Sequence, residues 1–377
     1  MSAGYDVAIV GCGIVGAACA DSCSAAGMRV TVVEAGPIGG GATAAGMGHI
    51  VVMDDSPAQI ALTQRSRSLW MALAGELPAD AEYVAAGTIW VAADAEEMAE
   101  VERKRAVYAG IGVRAEVLGP RELSEAEPNL RPGLAGGLLV PDDAVSYPPC
   151  AARFFLERAQ SRGAVLVRAH AVELTQIGVR LAGGDTISAG AVVNATGAWA
   201  PELSPGIAVR KRKGHLAITD RYAGFVRHQL LELGYLKSAH STAADSVAFN
   251  AQSRRTGQIL IGSSRQFGAE HSAIDLPVLT RMLERARTYM PRLADLTIIR
   301  CWTGFRAATP DMLPLIGPCP GRSRLLLATG HEGLGITTSL ATGELIAAHL
   351  AGGPFAIPAE PYLPSRELKA EGGPLHE

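Results

Sequence analysis

The sequence has no CxxC pair, and its six cysteines, at 12, 19, 23, 150, 301 and 319, stand at no metal-type spacing with its histidines. That excludes a zinc site and a disulfide framework, and it fits a reducing cytosol. Cys19 and Cys23 fall four apart on a predicted helix, where a free thiol packs as a small hydrophobe. Charge of one sign is also missing. Against 34 Lys and Arg stand 37 Asp and Glu, a formal charge of -3, so no field favours nucleic acid or an anionic membrane. The first residues, MSAGYDVAIVGCG, carry no basic stretch and no cleavage site, and no later segment reaches ~18 apolar residues without a charge or a turn former. A cytoplasmic protein is expected, resting at most on a membrane surface, with a small molecule as its partner. Internal repeats and low-complexity tracts are absent too.

With 48% apolar and 19% charged residues, the composition is that of a globular chain rather than a disordered one. Its 377 residues exceed the ~250 at which single cores stop growing, so two domains are expected. YDVAIV (5–10) reads as a buried strand, 13–26 as a helix dense in small residues closed by Gly27, and RVTVVEAG (29–36) as a β-branched strand. Such a unit implies a parallel sheet. Helical patterns recur at 57–76, 95–110, 151–162 and 276–290, and prolines punctuate a loop-rich crossing at 120–141. From 203 to 300 the strands ITD, GYLKS, SVAFNAQ and QILIGSS alternate with turns, an antiparallel texture; LLLATG (325–330) and the helix after it return to the parallel type. The expected fold class is α/β. A discontinuous Rossmann-type domain would take 1–80, 142–202 and 300–360, and a second α+β domain on an antiparallel sheet would take 81–141 and 203–299, leaving 361–377 as a C-terminal tail.

GCGIVG (11–16) directly follows the first strand. There Gly11 allows a tight turn, Gly13 lets the backbone approach a pyrophosphate, and Gly16 lets helix and strand pack closely. Glu34, at the end of the next strand, stands where a carboxylate accepts both hydroxyls of a ribose. The small-residue run GGGATAAGMGH (39–49), the turn ATGAWA (195–200) and the turn GHEGLG (330–335) supply further places where a cofactor can meet main chain. Backbone-approach sites spread over the chain suit a long cofactor held extended, which describes FAD better than an exchangeable nicotinamide.

The succession GxGxxG, Glu34, GGGATAAG, NATGAW, GFRAATPDMLPLIG and GHEGLGI resembles the D-amino-acid-oxidase-like superfamily of FAD-dependent oxidoreductases over nearly the whole chain. Within it the chain looks most like the branch of glycine oxidases and D-hydroxyproline dehydrogenases, including β subunits of multi-subunit amino-acid dehydrogenases. The resemblance places noncovalent FAD on Gly11, Gly13, Ile14, Val15, Gly16, Glu34 and Ala35, and on Gly41, Ala42, Thr43, Met47, Gly48 and His49. It continues the site through the Val172 backbone, Ala195, Thr196, Gly197 and Trp199, and through Gly330, His331, Glu332, Gly333, Leu334, Gly335 and Ile336. A helix starting near Leu334 would present its positive end to the flavin.

The same resemblance makes Arg306 the arginine that binds a substrate carboxylate, with a surface pair to Asp311 as its alternative. Tyr235 would offer a hydroxyl near the substrate, and His49 could face the flavin. Cys301 does not fall where a covalently attached flavin would need it. The basic run VRKRKGH (209–215) reads as a solvated turn, with a docking surface for an electron-accepting partner as its alternative. The implied activity is oxidation of a small amino or imino acid, D-hydroxyproline or D-proline foremost, by hydride transfer from Cα to the flavin N5. Oxygen or another carrier would take up the electrons, and further subunits are compatible. The alternatives are a glycine or sarcosine oxidase, an octopine- or nopaline-type dehydrogenase subunit, a hydroxylating or quinone-reducing flavoprotein, and a noncatalytic FAD-bearing assembly subunit. No metal is expected.

Overall fold

The computed structural model describes residues 4–234 and 245–367, so Tyr235 and the other residues of GYLKS after Gly234 lie outside the described residues. The chain divides into two units: unit 1 holds Met1–Ala81, Tyr147–Lys211 and Phe305–Glu377, and unit 2 holds Glu82–Ser146 and Arg212–Gly304. Residues 361–367 fall in unit 1. There Tyr362 is 1% exposed and donates its hydroxyl to the Ala58 carbonyl at 2.7 Å, so this stretch belongs to unit 1.

Unit 1 is built on β1 (Tyr5–Val10), β2 (Val30–Glu34), β8 (Val165–Arg168), β11 (Thr186–Asn194), β17 (Leu315–Pro318) and β18 (Leu325–Thr329), in the order β17-β18-β11-β1-β2-β8. All neighbours are parallel except β17 and β18. A short ribbon, β9 (Ala171–Thr175) and β10 (Gly178–Leu181), joins β11 antiparallel, and β3 is the two-residue strand His49–Ile50. Val7, Ala8, Ile9 and Val32 are fully buried because a parallel sheet is covered on both faces. The helices are α1 (Ile14–Ala25), α2 (Gly41–Ala45), α3 (Pro57–Leu73), α6 (Pro148–Ser161), α7 (Ala200–Leu203) and α9 (Gly335–Ala351). Helix α1 is built mostly of small apolar residues and is largely buried, with Asp21 paired to Arg162 at 2.6 Å. A Cβ on Gly343 of α9 would lie 2.6 Å from the Ala18 carbonyl oxygen, so the two helices approach at backbone distance. Cys19 and Cys23 are fully buried there, and burial raises both thiols, Cys23 to about 12, which leaves them inert.

Unit 2 carries β4 (Thr88–Ala92), β5 (Glu116–Leu118), β6 (Gly136–Val140), β7 (Ala144–Val145), β13 (Gln229–Glu232), β14 (Ser246–Ser253), β15 (Gln258–Arg265), and most of β12 (Arg210–Arg221) and β16 (Ile298–Ala308), whose residues 210–211 and 305–308 fall in unit 1. Its sheet runs β16-β12-β15-β14-β13-β4-β6-β5. The sheet is mixed rather than antiparallel throughout, since β13 pairs β4 in parallel, with Leu230 opposite Ile89. Helices α4 (Ala95–Gly110), α5 (Pro120–Ala126) and α8 (Leu276–Tyr289) complete it, and α5 falls inside the crossing expected to be loop. Pro120 at the first turn starts that helix instead of breaking it. Its core centres on Phe249 stacked on Tyr289, ring centroids 4.7 Å apart, with Met282, Ile259 and Ile261 around them.

The basic run corrects its sequence reading. Residues 210–221 form β12, and Arg212, Lys213 and His215 are 3%, 1% and 0% exposed, so this is no solvated turn. Lys213 donates its ammonium to the Ala273 carbonyl, and Arg212 lies over the Phe267 ring at 4.2 Å. His215 Nε2 accepts the Asp275 N–H at 3.0 Å. Cations on a strand read as a surface feature in sequence, but here the chain supplies Lys213 with a carbonyl and Arg212 with a ring, while Arg210 stays exposed.

Candidate functional site

In unit 1 the glycine turns meet one another. Gly11 sits at φ 97°, and a Cβ there would lie 2.7 Å from the Ala195 carbonyl oxygen. At Gly16 a Cβ would lie 2.0 Å from the Gly11 carbonyl oxygen. Both glycines are therefore demanded by the protein's own packing. Gly13 is different: a Cβ there would meet only the Thr43 hydroxyl, at 3.1 Å, and Gly197, at φ 59°, would meet nothing within 4 Å. These two leave open space beside the main chain, where a ligand can lie. Thr43 Oγ1 accepts the Ile14 N–H at 3.0 Å, so α2 caps the start of α1 from 29 residues away. Glu34 accepts the Cys12 and Gly36 N–H groups, each at 2.6 Å, one on each oxygen, and each oxygen keeps a lone pair for a hydroxyl.

The later turns close on the same place. Thr329 donates its hydroxyl to the Gly197 carbonyl at 2.8 Å, and the Trp199 ring lies where a Cβ on Gly41 would be 3.8 Å away. Trp199 also meets Phe305 edge-on at 6.0 Å, with the Lys211 ammonium 5.6 Å from its ring. At the start of α9, a Cβ on Gly335 would be 3.8 Å from Val15, in the first turn of α1. Neither helix has a side-chain cap of its own or an acid in its first turn. Two helix starts, each carrying roughly half a positive charge, thus lie side by side, an arrangement that an anion stabilises. A pyrophosphate fits this donor set.

Segment 46–51 lies against the same helix start. A Cβ on Gly46 would be 2.8 Å from Ile336 Cδ1, Met47 is buried, and Gly48 takes φ 97°. Thr337 donates its hydroxyl to the His49 carbonyl at 2.8 Å, which brings the His49 backbone to the first turn of α9. Thr337 went unrecognised in the sequence, where TTS inside a helix gives no sign of a partner 288 residues away. His331 is buried, and its Nε2 lies 3.0 Å from the Thr342 hydroxyl. Burial lowers its pKa to about 3, so the imidazole is neutral, and its contact is with Thr342 on α9. Glu332 follows at φ 50°, its N–H on the Ala307 carbonyl at 2.9 Å. Val172 stands on β9, 43% exposed, three residues past the Ala169 N–H that bonds the Glu34 carbonyl.

Arg306 stands on β16, half-buried, with its Nε 3.6 Å from the position of a Cβ on Gly333. The alternative partner expected for it is occupied elsewhere: Asp311 is paired with Arg366, at 2.7 and 2.9 Å. Gly333 therefore gives the guanidinium room directly before the start of α9. Cys301 is partly buried, and desolvation raises its thiol.

A parallel nucleotide-binding sheet with glycine turns at its strand ends, joined to a second sheet domain, is the architecture of a dinucleotide-dependent oxidoreductase. The FAD dependent oxidoreductase (DAO) family model matches residues 6–349, and the chain belongs to that family. It is 29% identical to glycine oxidase of Geobacillus kaustophilus, covering 98% of each chain, and that enzyme's crystal structure superposes with a TM-score of 0.87 at 28% identity over 97% of this chain and 99% of that one. It is 28% identical to hydrogen cyanide synthase subunit HcnC of Pseudomonas aeruginosa, over 97% of each. The L-proline dehydrogenase structure of P. horikoshii superposes at a TM-score of 0.87, with 25% identity over 97% of this chain and 98% of that one. Among the described residues no helix is long and apolar enough to cross a membrane, and no His, Cys, Asp and Glu group could hold a metal.

Proposed function

We propose that this protein oxidises the Cα–N bond of a small amino or imino acid. The observation that carries the reading is Arg306 set beside Gly333, immediately before the paired helix starts of α1 and α9. In this reading Gly13, Ile14, Val15 and Thr43 hold the pyrophosphate, Glu34 holds the ribose, and the first turn of α9 lies along the flavin. FAD supplies the acceptor for a hydride when bound. The chain's part is to orient: Arg306 binds the substrate carboxylate through two parallel N–H bonds and so fixes which hydrogen faces the cofactor. A strong protein base is not needed, because the amine loses its proton before the hydride leaves. His331, neutral and internally bonded, does not compete for the substrate's charge.

Likeness to glycine oxidase over nearly the whole length supports glycine or an N-substituted glycine as substrate. Likeness to L-proline dehydrogenase supports a ring imino acid, the class that includes D-proline and D-hydroxyproline. Anaerobic mixing with glycine, sarcosine, D- and L-amino acids and both hydroxyproline epimers separates them, since only a substrate bleaches the flavin. Arg306→Ala is expected to raise KM and cut kcat/KM by a factor corresponding to about 2 to 5 kcal/mol. Unchanged steady-state kinetics would remove Arg306 from the site. Likeness to a synthase subunit favours a second reading, in which the chain acts within a complex. A purified chain that holds FAD but bleaches with no substrate until a partner is added would establish it.

A further inference from the structure

Arg366 stands out among the arginines of unit 1 because all five of its N–H groups are used. Nε and Nη2 meet Asp311 at 2.7 and 2.9 Å, Nη1 meets the Pro314 and Leu363 carbonyls at 3.0 and 3.1 Å, and Nη2 meets the Leu313 carbonyl at 2.7 Å. The two side chains are only 11% and 16% exposed. Apart from Leu363, its partners lie on loop 309–314, the TPDMLP stretch of the sequence. That loop needs holding: Met312 takes φ 58°, which a side chain disfavours. Thr309 bonds the Leu313 carbonyl through its hydroxyl at 2.8 Å, and Asp311 accepts the Leu313 N–H at 3.2 Å.

The loop is the wall behind the last glycine turn. A Cβ on Gly330 would lie 2.6 Å from Thr309 Cγ2, 3.4 Å from the Leu315 nitrogen and 3.6 Å from Pro314 Cα. On its other side the loop continues from β16, where the Ala307 carbonyl accepts the Glu332 N–H and Arg306 is the neighbouring residue. Loop, strand end and turn form one packed piece.

We propose that Arg366 is a positioning residue for the nucleotide site. Through Asp311 it fixes loop 309–314, and through that loop it fixes the Gly330 turn, the start of α9 and Arg306. The inference rests on the FAD reading of that turn. A lysine does not replace it, because an ammonium is a point charge and cannot span a carboxylate and three carbonyls at once.

The test is the rate at which FAD leaves the purified holoprotein after dilution, followed by the rise in flavin fluorescence. Arg366→Ala is expected to release FAD at least fivefold faster than the unaltered protein, with Arg366→Lys in between. Tyr362→Phe removes the hydroxyl that ties the same C-terminal segment to α3 and is expected to release FAD at less than half the rate of Arg366→Ala. Acceleration under fivefold in Arg366→Ala overturns the proposal, and so does a Tyr362→Phe rate of half that value or more, which would assign the effect to general loosening of the segment. Should Arg366→Ala not fold, Asp311→Asn carries the same expectation. An unaltered protein that purifies without FAD would sink the cofactor reading itself, whereas one that holds FAD equally well in every variant sinks only the role of Arg366.

Discussion

Around the glycine turns of unit 1 the polar groups are mostly main-chain N–H and C=O, and the side chains are small; along β12 and β13 of unit 2 several long charged side chains, Arg212, Lys213 and Glu232 among them, are buried against partners of their own. Glu232 shows the second manner: it is 1% exposed, accepts the Phe249 N–H at 2.6 Å and pairs with Arg285. Burying backbone at a helix start costs little when a ligand or neighbouring hydroxyl completes it, whereas each buried side-chain charge must be matched individually. The first arrangement is therefore written in residue spacing. The second is written only in tertiary contacts.

Substitutions probe that contrast. Gly16→Ala should have the largest effect, about 3 kcal/mol or loss of folding, because its Cβ would overlap the Gly11 carbonyl oxygen; urea unfolding measures it. A near-neutral Gly16→Ala would break the view that packing demands this glycine. Glu232→Gln should cost about 2 kcal/mol, below the range for a fully buried pair because Arg285 is 42% exposed. If it costs nothing, unit 2's charges are not individually required. His331→Gln tests a buried base in unit 1. Its pKa falls from 6.5 unfolded to about 3 folded, so the unfolded chain binds the extra proton between those values and stability drops as pH falls through that window. The variant should lose up to about 1.4 kcal/mol per pH unit of that slope, read from urea midpoints between pH 6 and pH 4. Equal slopes in both proteins would show that the imidazole is solvated. Gly27→Ala should be mildest, about 1 kcal/mol, since Gly27 takes φ 81° yet has nothing within 4 Å of its would-be Cβ.

What could be read in advance follows the same division. The GCGIVG spacing, Glu34 at the end of β2 and the apolar run of β18 are local patterns, and the strands and helices they imply are present. Arg306 stood out through the motif around it, but the pairing of Asp311 with Arg366 did not, because those two residues lie 55 apart in sequence. The basic run was misread because four cations in seven residues look identical in a turn and in a strand whose partners, such as the Ala273 carbonyl that accepts from Lys213 and the Asp275 N–H that donates to His215, come from 60 residues downstream. The parallel pairing of β13 with β4 had no local signature either, as the four residues QLLE of β13 are too few to mark a strand or its direction.

The central strand β1 lies between β2 and β11, and β11 in turn needs β18 on its far side. During synthesis the first strand therefore waits while more than three hundred residues emerge before its sheet is complete, and α9, which covers α1, comes later still. Unit 2's two segments are finished by residue 304, earlier than the last piece of unit 1. The segment that completes unit 1's sheet is thus made after both segments of unit 2, and the face of α1 that α9 covers stays open until then.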